Sequence, residues 1–130
     1  MSRKIEDLTP EMQEIVRNLT GLIEAEGIDI LITCTRRTLK EQEELYAIGR
    51  TRPGKKVTWT LKSRHLEGKA IDFVVLTNGK PDWNMNFKEQ WLKVIDIGKK
   101  LGLRQVVNSK GKIMEYAHLE LGEKVNYGMV

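Results

Sequence analysis

The chain has 130 residues, of which 22 are basic and 18 acidic, for a formal net charge of +4 at pH 7. A hydrophobic share of 40% and a charged share of 31% suit a single ordinary globular domain and exclude disordered, fibrous and multidomain classes. The longest apolar runs, around Ile28 to Ile32 and Ala70 to Leu76, fall well short of the ~20 residues that cross a bilayer, and no apolar signal core follows Met1 to Asp7.

Thr9 offers a capping hydroxyl ahead of Pro10, and Met12, Ile15, Val16, Leu19, Leu22 and Ile23 then recur on one helical face until Gly27. Ile28 to Thr33 is short, isoleucine-rich and bounded by Gly27 and the polar Thr35, Arg36 and Arg37, which predicts a strand. The single Cys34 follows it and reads as a buried free thiol, with no partner for a disulfide and no cysteine cluster for zinc. Thr38 and Glu41 have the spacing of a capping box, so a second helix opens there and ends at Gly49, holding Arg37 at a strand-to-helix junction.

From Arg50 to Arg64 the chain is basic, contains Pro53 and Gly54, and alternates weakly at Val57, Trp59 and Leu61. A long loop with one short strand is expected, and loops of this length in small domains are often functional. Its cations, with Lys69, form a candidate polyanion contact, but +4 is modest for a dedicated nucleic-acid binder, so a solvated loop is the favoured reading. Lys69 to Leu76 predicts a strand, closed by a turn from Asn78 to Pro81. Asn86 with Glu89 predicts the cap of a third helix whose inner face is Phe87, Trp91, Leu92, Ile95 and Leu101, stopping at Gly102. Leu103 to Val107, a turn at Asn108 to Gly111, and Ile113 to Leu121 predict an antiparallel hairpin or meander. Helices interrupting non-alternating strands indicate an α+β fold: a small antiparallel sheet flanked by about three helices, in one domain over residues 1–130.

Two histidines, His65 and His118, each lie close to carboxylates. Strand alternation puts Ala70, Asp72 and Val74 on one face and Ile71, Phe73 and Val75 on the other. Asp72 thus interrupts an apolar strand, where a buried carboxylate is costly without a cation or a metal ion. Glu115, His118 and Glu120 supply the second imidazole with two further carboxylates. Two imidazoles, one carboxylate and an open position make a standard catalytic zinc set, beside which a glutamate outside the ligand set can act as general base. Alternation sets Glu120 on the face of His118 and Glu115 on the opposite face. Glu115 reaches the site only from a bend before the strand, in which case Glu120 orients a ligand histidine. Spacing leaves the choice of base open.

These residues resemble a known superfamily. Ser63-x-His65-x-x-Gly68-x-Ala70-x-Asp72 matches the S-x-H-x-x-G-x-A-x-D signature of the zinc D-alanyl-D-alanine carboxypeptidase superfamily, whose fold is shared by hedgehog-type domains, and Glu115-x-x-His118 resembles its later D/E-x-x-H element. The run from Ile32 through Arg37, Gln42, Leu45, Tyr46 and Gly49 to Thr51 is similar to that of phage endolysins that are L-alanyl-D-glutamate peptidases. The resemblance covers about residues 30 to 121. It implies zinc held by His65, Asp72 and His118, with Glu115 as general base and acid. Arg37, with Arg36 as a rival beside it, matches the arginine that stabilises substrate or oxyanion, and Ser63 and Gln42 join it as substrate-binding candidates. The chain departs from the pattern at Thr35 and Arg36, at Ala117, and at Leu103 to Gln105.

The implied function is hydrolysis of the L-alanyl-D-glutamate bond in the peptidoglycan stem peptide. The chain has no room for a separate wall-binding domain, so wall affinity falls to the catalytic domain and its basic loop. Without a signal peptide, the protein is expected to be made in the host cytoplasm, to act as a monomer, and to reach the wall through a membrane-permeabilising partner such as a holin. The rival readings are a D-alanyl-D-alanine carboxypeptidase or dipeptidase, a non-catalytic zinc module that binds the wall or a protein, and, more remotely, a nucleic-acid-binding domain.

Overall fold

A proline at the first helical position and a threonine before it begin the fold as the sequence suggests. In the computed structural model, which describes residues 1–122, helix α1 spans Pro10–Ala25, and Thr9 Oγ1 accepts a hydrogen bond from the Met12 amide at 3.3 Å. Met12, Val16, Leu19 and Ile23 are buried, whereas Leu22 is 48% exposed, so the apolar stripe is narrower than predicted. Strand β1 (Asp29–Cys34) follows. Helix α2 (Leu39–Ala47) then opens with the predicted capping box: Thr38 Oγ1 accepts from the Glu41 amide at 3.1 Å, and Glu41 Oε1 accepts from the Thr38 amide at 2.9 Å.

Strand β2 (Ala70–Thr77) turns at Asn78 and Gly79, both with positive φ, into the two-residue strand β3 (Lys80–Pro81). Two successive left-handed residues are what a tight hairpin turn requires, so the predicted turn is shorter than four residues and Lys80 pairs back with Thr77. Helix α3 (Lys88–Lys100), strand β4 (Leu103–Arg104) and strand β5 (His118–Leu121) complete the chain. The sheet runs β1-β2-β5-β4, with antiparallel pairing throughout and β3 appended to β2. Helices α1 and α3 pack together, and their Met12, Val16, Leu19, Trp91, Val94 and Ile95 join Ile71, Phe73, Val75 and Leu119 of the sheet in one core. The Phe73 and Trp91 rings lie 5.3 Å apart. This is the expected α+β architecture.

Several local expectations are corrected. Among the described residues 50–64 contain no strand; an isolated bridge between Ile48 and Arg52 is the only ladder contact there, and Val57, Trp59 and Leu61 are all exposed. Asn86 does not cap α3. No side chain does: the carboxylate of Asp82 accepts instead from the amides of Asn86 and Phe87, just ahead of the helix, at 2.9 Å each and from the Trp91 indole at 3.1 Å. The buried face of α3 is Trp91, Val94, Ile95 and Ile97, whereas Phe87 and Leu92 are about half exposed. The C-terminal hairpin is also shorter than expected: only four residues around His118 and two around Leu103 pair as strands, with a lone bridge from Val107 to Ile113.

Candidate active site

The spacing of Ser63, His65, Gly68, Ala70 and Asp72 has a local structural cause. Ser63 caps a 3-10 turn over Arg64–Glu67, its Oγ accepting from the His65 amide at 3.2 Å. Gly68 closes the turn with φ +69°, and a Cβ there would stand 3.2 to 3.3 Å from backbone atoms of Asp7, Leu8 and Thr9. The chain then enters β2 at the fully buried Ala70, two residues before Asp72 on the same strand face. Register supplies the other imidazole, because Asp72 pairs directly with His118 across β2 and β5.

Asp72 Oδ1 lies 3.1 Å from His65 Nε2 and 3.0 Å from His118 Nδ1, and the two rings meet edge to face with centroids 5.1 Å apart. The far nitrogen of each ring is engaged. His65 Nδ1 donates to the Thr35 carbonyl at 2.8 Å, with Cys34 Sγ 3.7 Å away, and His118 Nε2 donates to Glu120 Oε1 at 3.0 Å. The other oxygen of Asp72 accepts from Arg37 Nη2 at 3.2 Å; Arg37 Nη1 donates to Gln42 Oε1 at 2.9 Å. Gln42 is fully buried and holds the Thr60 carbonyl at 2.8 Å through its Nε2. Glu120, 4% exposed, is gripped by Arg104 through Nε at 3.2 Å and Nη2 at 3.0 Å.

Electrostatics follow from this packing. Burial works most strongly against charging His65 and His118, but hydrogen bonds with Asp72 and with Cys34 or Glu120, joined by the Asp72 charge, together outweigh it and lift them to about 10 and about 9. Burial likewise opposes ionisation of Asp72, yet the two imidazoles hold its carboxyl far below the usual range. Glu115 differs: desolvation by the cleft wall and then repulsion from Asp72 raise its pKa, only partly offset by His118, His65 and Arg37.

Glu115 precedes a turn at Tyr116 and Ala117 and stands outside β5. That bend brings one of its carboxylate oxygens within 4.8 Å of donor atoms of both Asp72 and His118. Arg36 is exposed, so of the two neighbouring arginines it is Arg37 that meets Asp72. Ser63 lines the cleft while serving as a cap, and Gln42 sits behind Arg37. Three contributors escaped sequence reasoning. The Thr35 carbonyl leaves no side-chain signature, Cys34 approaches His65 only through the fold, and Arg104 meets Glu120 by the β4–β5 register.

The site opens into a cleft of about 1070 Å³, lined also by Lys56, Val57, Trp59 and Lys62 and by Val106, Val107 and Met114. A smaller hollow of about 530 Å³, lined by Ser2, Arg36 and Leu66 on the other flank of Arg37, contains neither histidine.

The profile of a family described as phage L-alanyl-D-glutamate peptidase matches residues 1–110. The chain belongs to this family. It is 36% identical over 124 residues to the peptidoglycan L-alanyl-D-glutamate endopeptidase CwlK of Bacillus subtilis (strain 168), covering 88% of this chain and 74% of that protein. It is also 27% identical over 124 residues to the L-alanyl-D-glutamate peptidase of Listeria phage A118, covering 95% of this chain but only 41% of the phage protein. Among solved structures, a mutant of the vancomycin-resistance D,D-pentapeptidase VanY from a VanB-type cassette, in complex with Zn(II), superposes with TM-score 0.66 at 14% identity, covering 89% of this chain and 73% of that one. The chain therefore shares the fold of that peptidase.

Proposed function

We infer that this family member is a zinc-dependent peptidoglycan endopeptidase that hydrolyses the L-alanyl-D-glutamate bond of the stem peptide. The observation that carries the reading is that Asp72 joins His65 on one side and His118 on the other, with Glu115 beside it, along the lining of an open cleft.

The donor set fits zinc. The far nitrogen of each imidazole donates a hydrogen bond, which leaves His65 Nε2 and His118 Nδ1 to offer lone pairs on the side of Asp72. Bonds of about 2.0–2.1 Å in a tetrahedron separate donor atoms by about 3.3–3.4 Å. The two imidazole–carboxylate separations, 3.0 and 3.1 Å, approach that edge. Among the described residues the donor atoms lying within 4.8 Å of one another form two groups that share Asp72, one with His65 and Cys34 and one with His118 and Glu115, so the two imidazoles would have to close around the ion. His65, Asp72 and His118 would hold the ion. When bound, zinc polarises the scissile carbonyl and makes water acidic enough to lose a proton near neutral pH.

The chain's own residues do the rest. Glu115, outside the ligand set and with a raised pKa, accepts the proton of the attacking water as its oxygen bonds to the carbonyl carbon. It returns that proton to the departing amine of D-glutamate as the C–N bond breaks. Arg37 lines the cleft and sets positive charge beside the reacting carbonyl while fixing Asp72, and preorganised charge of this kind usually supplies a large part of the rate. Ser63 and Gln42 act behind it, one shaping the His65 turn and the other locking Arg37. Among the described residues no helix is long and apolar enough to cross a membrane. Action as a monomer and passage to the wall through a holin-type partner belong to the same reading.

The test is mass spectrometry of purified peptidoglycan after incubation with zinc-loaded protein. New D-glutamate amino ends, absent with a chelator and absent with Glu115→Gln, are the expected result. No new ends from several wall chemotypes, with zinc still bound, would assign the protein to a binding module instead.

A further inference from the structure

The basic segment does more than enclose the cleft. Residues 50–64 contain Arg50, Arg52, Lys55, Lys56, Lys62 and Arg64 and not one carboxylate. Of these, among the described residues, only Arg64 has an acidic partner, Glu67 at 3.6 Å. The segment is held from beneath. Arg50 stacks on the Tyr46 ring of α2 at 3.7 Å, Gln42 binds the Thr60 carbonyl, and Gly49, with φ +79°, allows the Lys56 amide to approach to a distance that a Cβ would occupy. What faces outward is Trp59, 65% exposed, with the Lys56 ammonium 5.4 Å from its ring. Lys56 and Lys62 both border the cleft that holds His65 and Asp72.

We propose that this arm is a substrate-binding element whose Lys56 and Lys62 receive carboxylates on the leaving side of the stem peptide, so that the enzyme prefers stem peptides with free carboxylates to amidated ones. The proposal rests on the endopeptidase reading above. Stem-peptide D-glutamate is linked onward through its side-chain carboxyl, so its α-carboxylate remains free beside the scissile bond unless the wall is amidated. The peptide C-terminus adds another negative charge. Asp72 and Glu120 are already paired with Arg37 and Arg104, so the cations left to meet a ligand carboxylate at this edge of the cleft are Lys56 and Lys62. Because the arm is already anchored, little ordering is lost on binding. Contacts at an exposed rim act on capture more than on the chemical step, so the effect belongs in KM.

The experiment compares N-acetyl-L-alanyl-γ-D-glutamyl-L-lysine with the same peptide amidated at the D-glutamate α-carboxyl and the C-terminus, using zinc-loaded full chain. The amidated peptide should show a KM roughly three- to tenfold higher with kcat little changed, the size expected for two exposed charge contacts. The difference should shrink in about 0.5 M salt. It should also vanish in the double variant Lys56→Gln, Lys62→Gln and return with arginine at both positions. Equal KM values for the two peptides, or a difference that survives in the glutamine variant, would overturn the proposal. Calorimetric affinities of both peptides for Glu115→Gln read the same preference without turnover. Failure to cleave either peptide therefore counts against the endopeptidase reading, and equal affinities count against this one.

Discussion

Asp72 and His118 face each other across the β2–β5 ladder with Oδ1 and Nδ1 3.0 Å apart, and the same carboxylate oxygen is 3.1 Å from His65 Nε2. Without metal, one carboxylate thus serves two imidazoles, which are raised to about 10 for His65 and about 9 for His118. Zinc needs both rings neutral, so binding at pH 7 should release a proton from each, and affinity should climb with pH until about 9 to 10. Calorimetry in buffers of different ionisation heat measures this directly; zero release would mean that the rings are already neutral. The same shifts set the stability of the metal-free protein. A histidine raised on folding contributes fully below its unfolded value of ~6.5, and that contribution is lost as pH rises through the folded value. The metal-free form should therefore lose stability between neutral pH and about 10, a window in which zinc protects it.

Glu115→Gln keeps the shape of the side chain and removes its basicity. Zinc affinity should be essentially retained while kcat falls by about 10²- to 10⁴-fold, the usual worth of a positioned general base. In the protein without metal the Glu115 carboxyl is raised, by desolvation first and by Asp72 second, so carbon-13 NMR of the zinc-free form should find it titrating above an ordinary glutamate. Full activity in the glutamine variant would hand the base role to Glu120.

The signature was legible because each of its residues answers a backbone demand within ten positions. Ser63 caps a turn, Gly68 ends it in the left-handed region, Ala70 is fully buried, and Asp72 follows on the same face. Glu115 was ambiguous because its role depends on whether the chain bends before β5, and the bend is decided by pairing: the Phe73 amide donates to the Ala117 carbonyl at 2.8 Å. Arg104 was illegible for a related reason. Its strand is two residues long, too short for any period to register, and only its ladder with β5 brings it to Glu120.

Glu120 and Arg104 form an outer brace. Burial disfavours charge on Glu120, but hydrogen bonds from His118 and Arg104 keep its pKa low, so it stays anionic and holds His118 Nε2. Glu120→Ala should weaken zinc binding about 10- to 100-fold without unfolding the protein, and Arg104→Ala should do so by less, since its side chain is 47% exposed. Competition with a chromophoric chelator resolves both, and unchanged zinc affinity in Glu120→Ala would show that the brace is idle.

Gln42 is fully buried, accepts from Arg37 and donates to the Thr60 carbonyl. Gln42→Leu removes the partner of both groups, but Thr60 is exposed and Arg37 lines the open cleft, so water can take up part of the loss and the fold should be destabilised by about 0.5–1.5 kcal/mol. Urea denaturation measures this, and a loss within the error of the extrapolation would mean that water or a shifted side chain satisfies them.

Asp82 reaches forward to tie down the chain entering α3, and a short-range reading of the sequence could not see it because the carboxylate lies five residues ahead of the helix N-cap, Phe87. Asparagine at this position keeps one accepting oxygen and replaces the other with a donor, so Asp82→Asn cannot satisfy Asn86, Phe87 and the buried Trp91 indole together. A fall of several degrees in the thermal midpoint is expected at neutral pH. Burial pushes the Asp82 carboxyl up, but the Phe87 and Asn86 amides and the Trp91 indole outweigh it and hold the folded pKa below the ordinary value. A lowered carboxylate stabilises the fold above its unfolded pKa of ~3.9, and that contribution is lost as pH falls through the folded value. The gap between wild type and Asp82→Asn should therefore be widest near neutrality and should narrow below about pH 4. Circular dichroism melts from pH 7 down to pH 3 test this, and a gap that stays constant over the range would show that the carboxylate charge contributes nothing to holding the entry of α3.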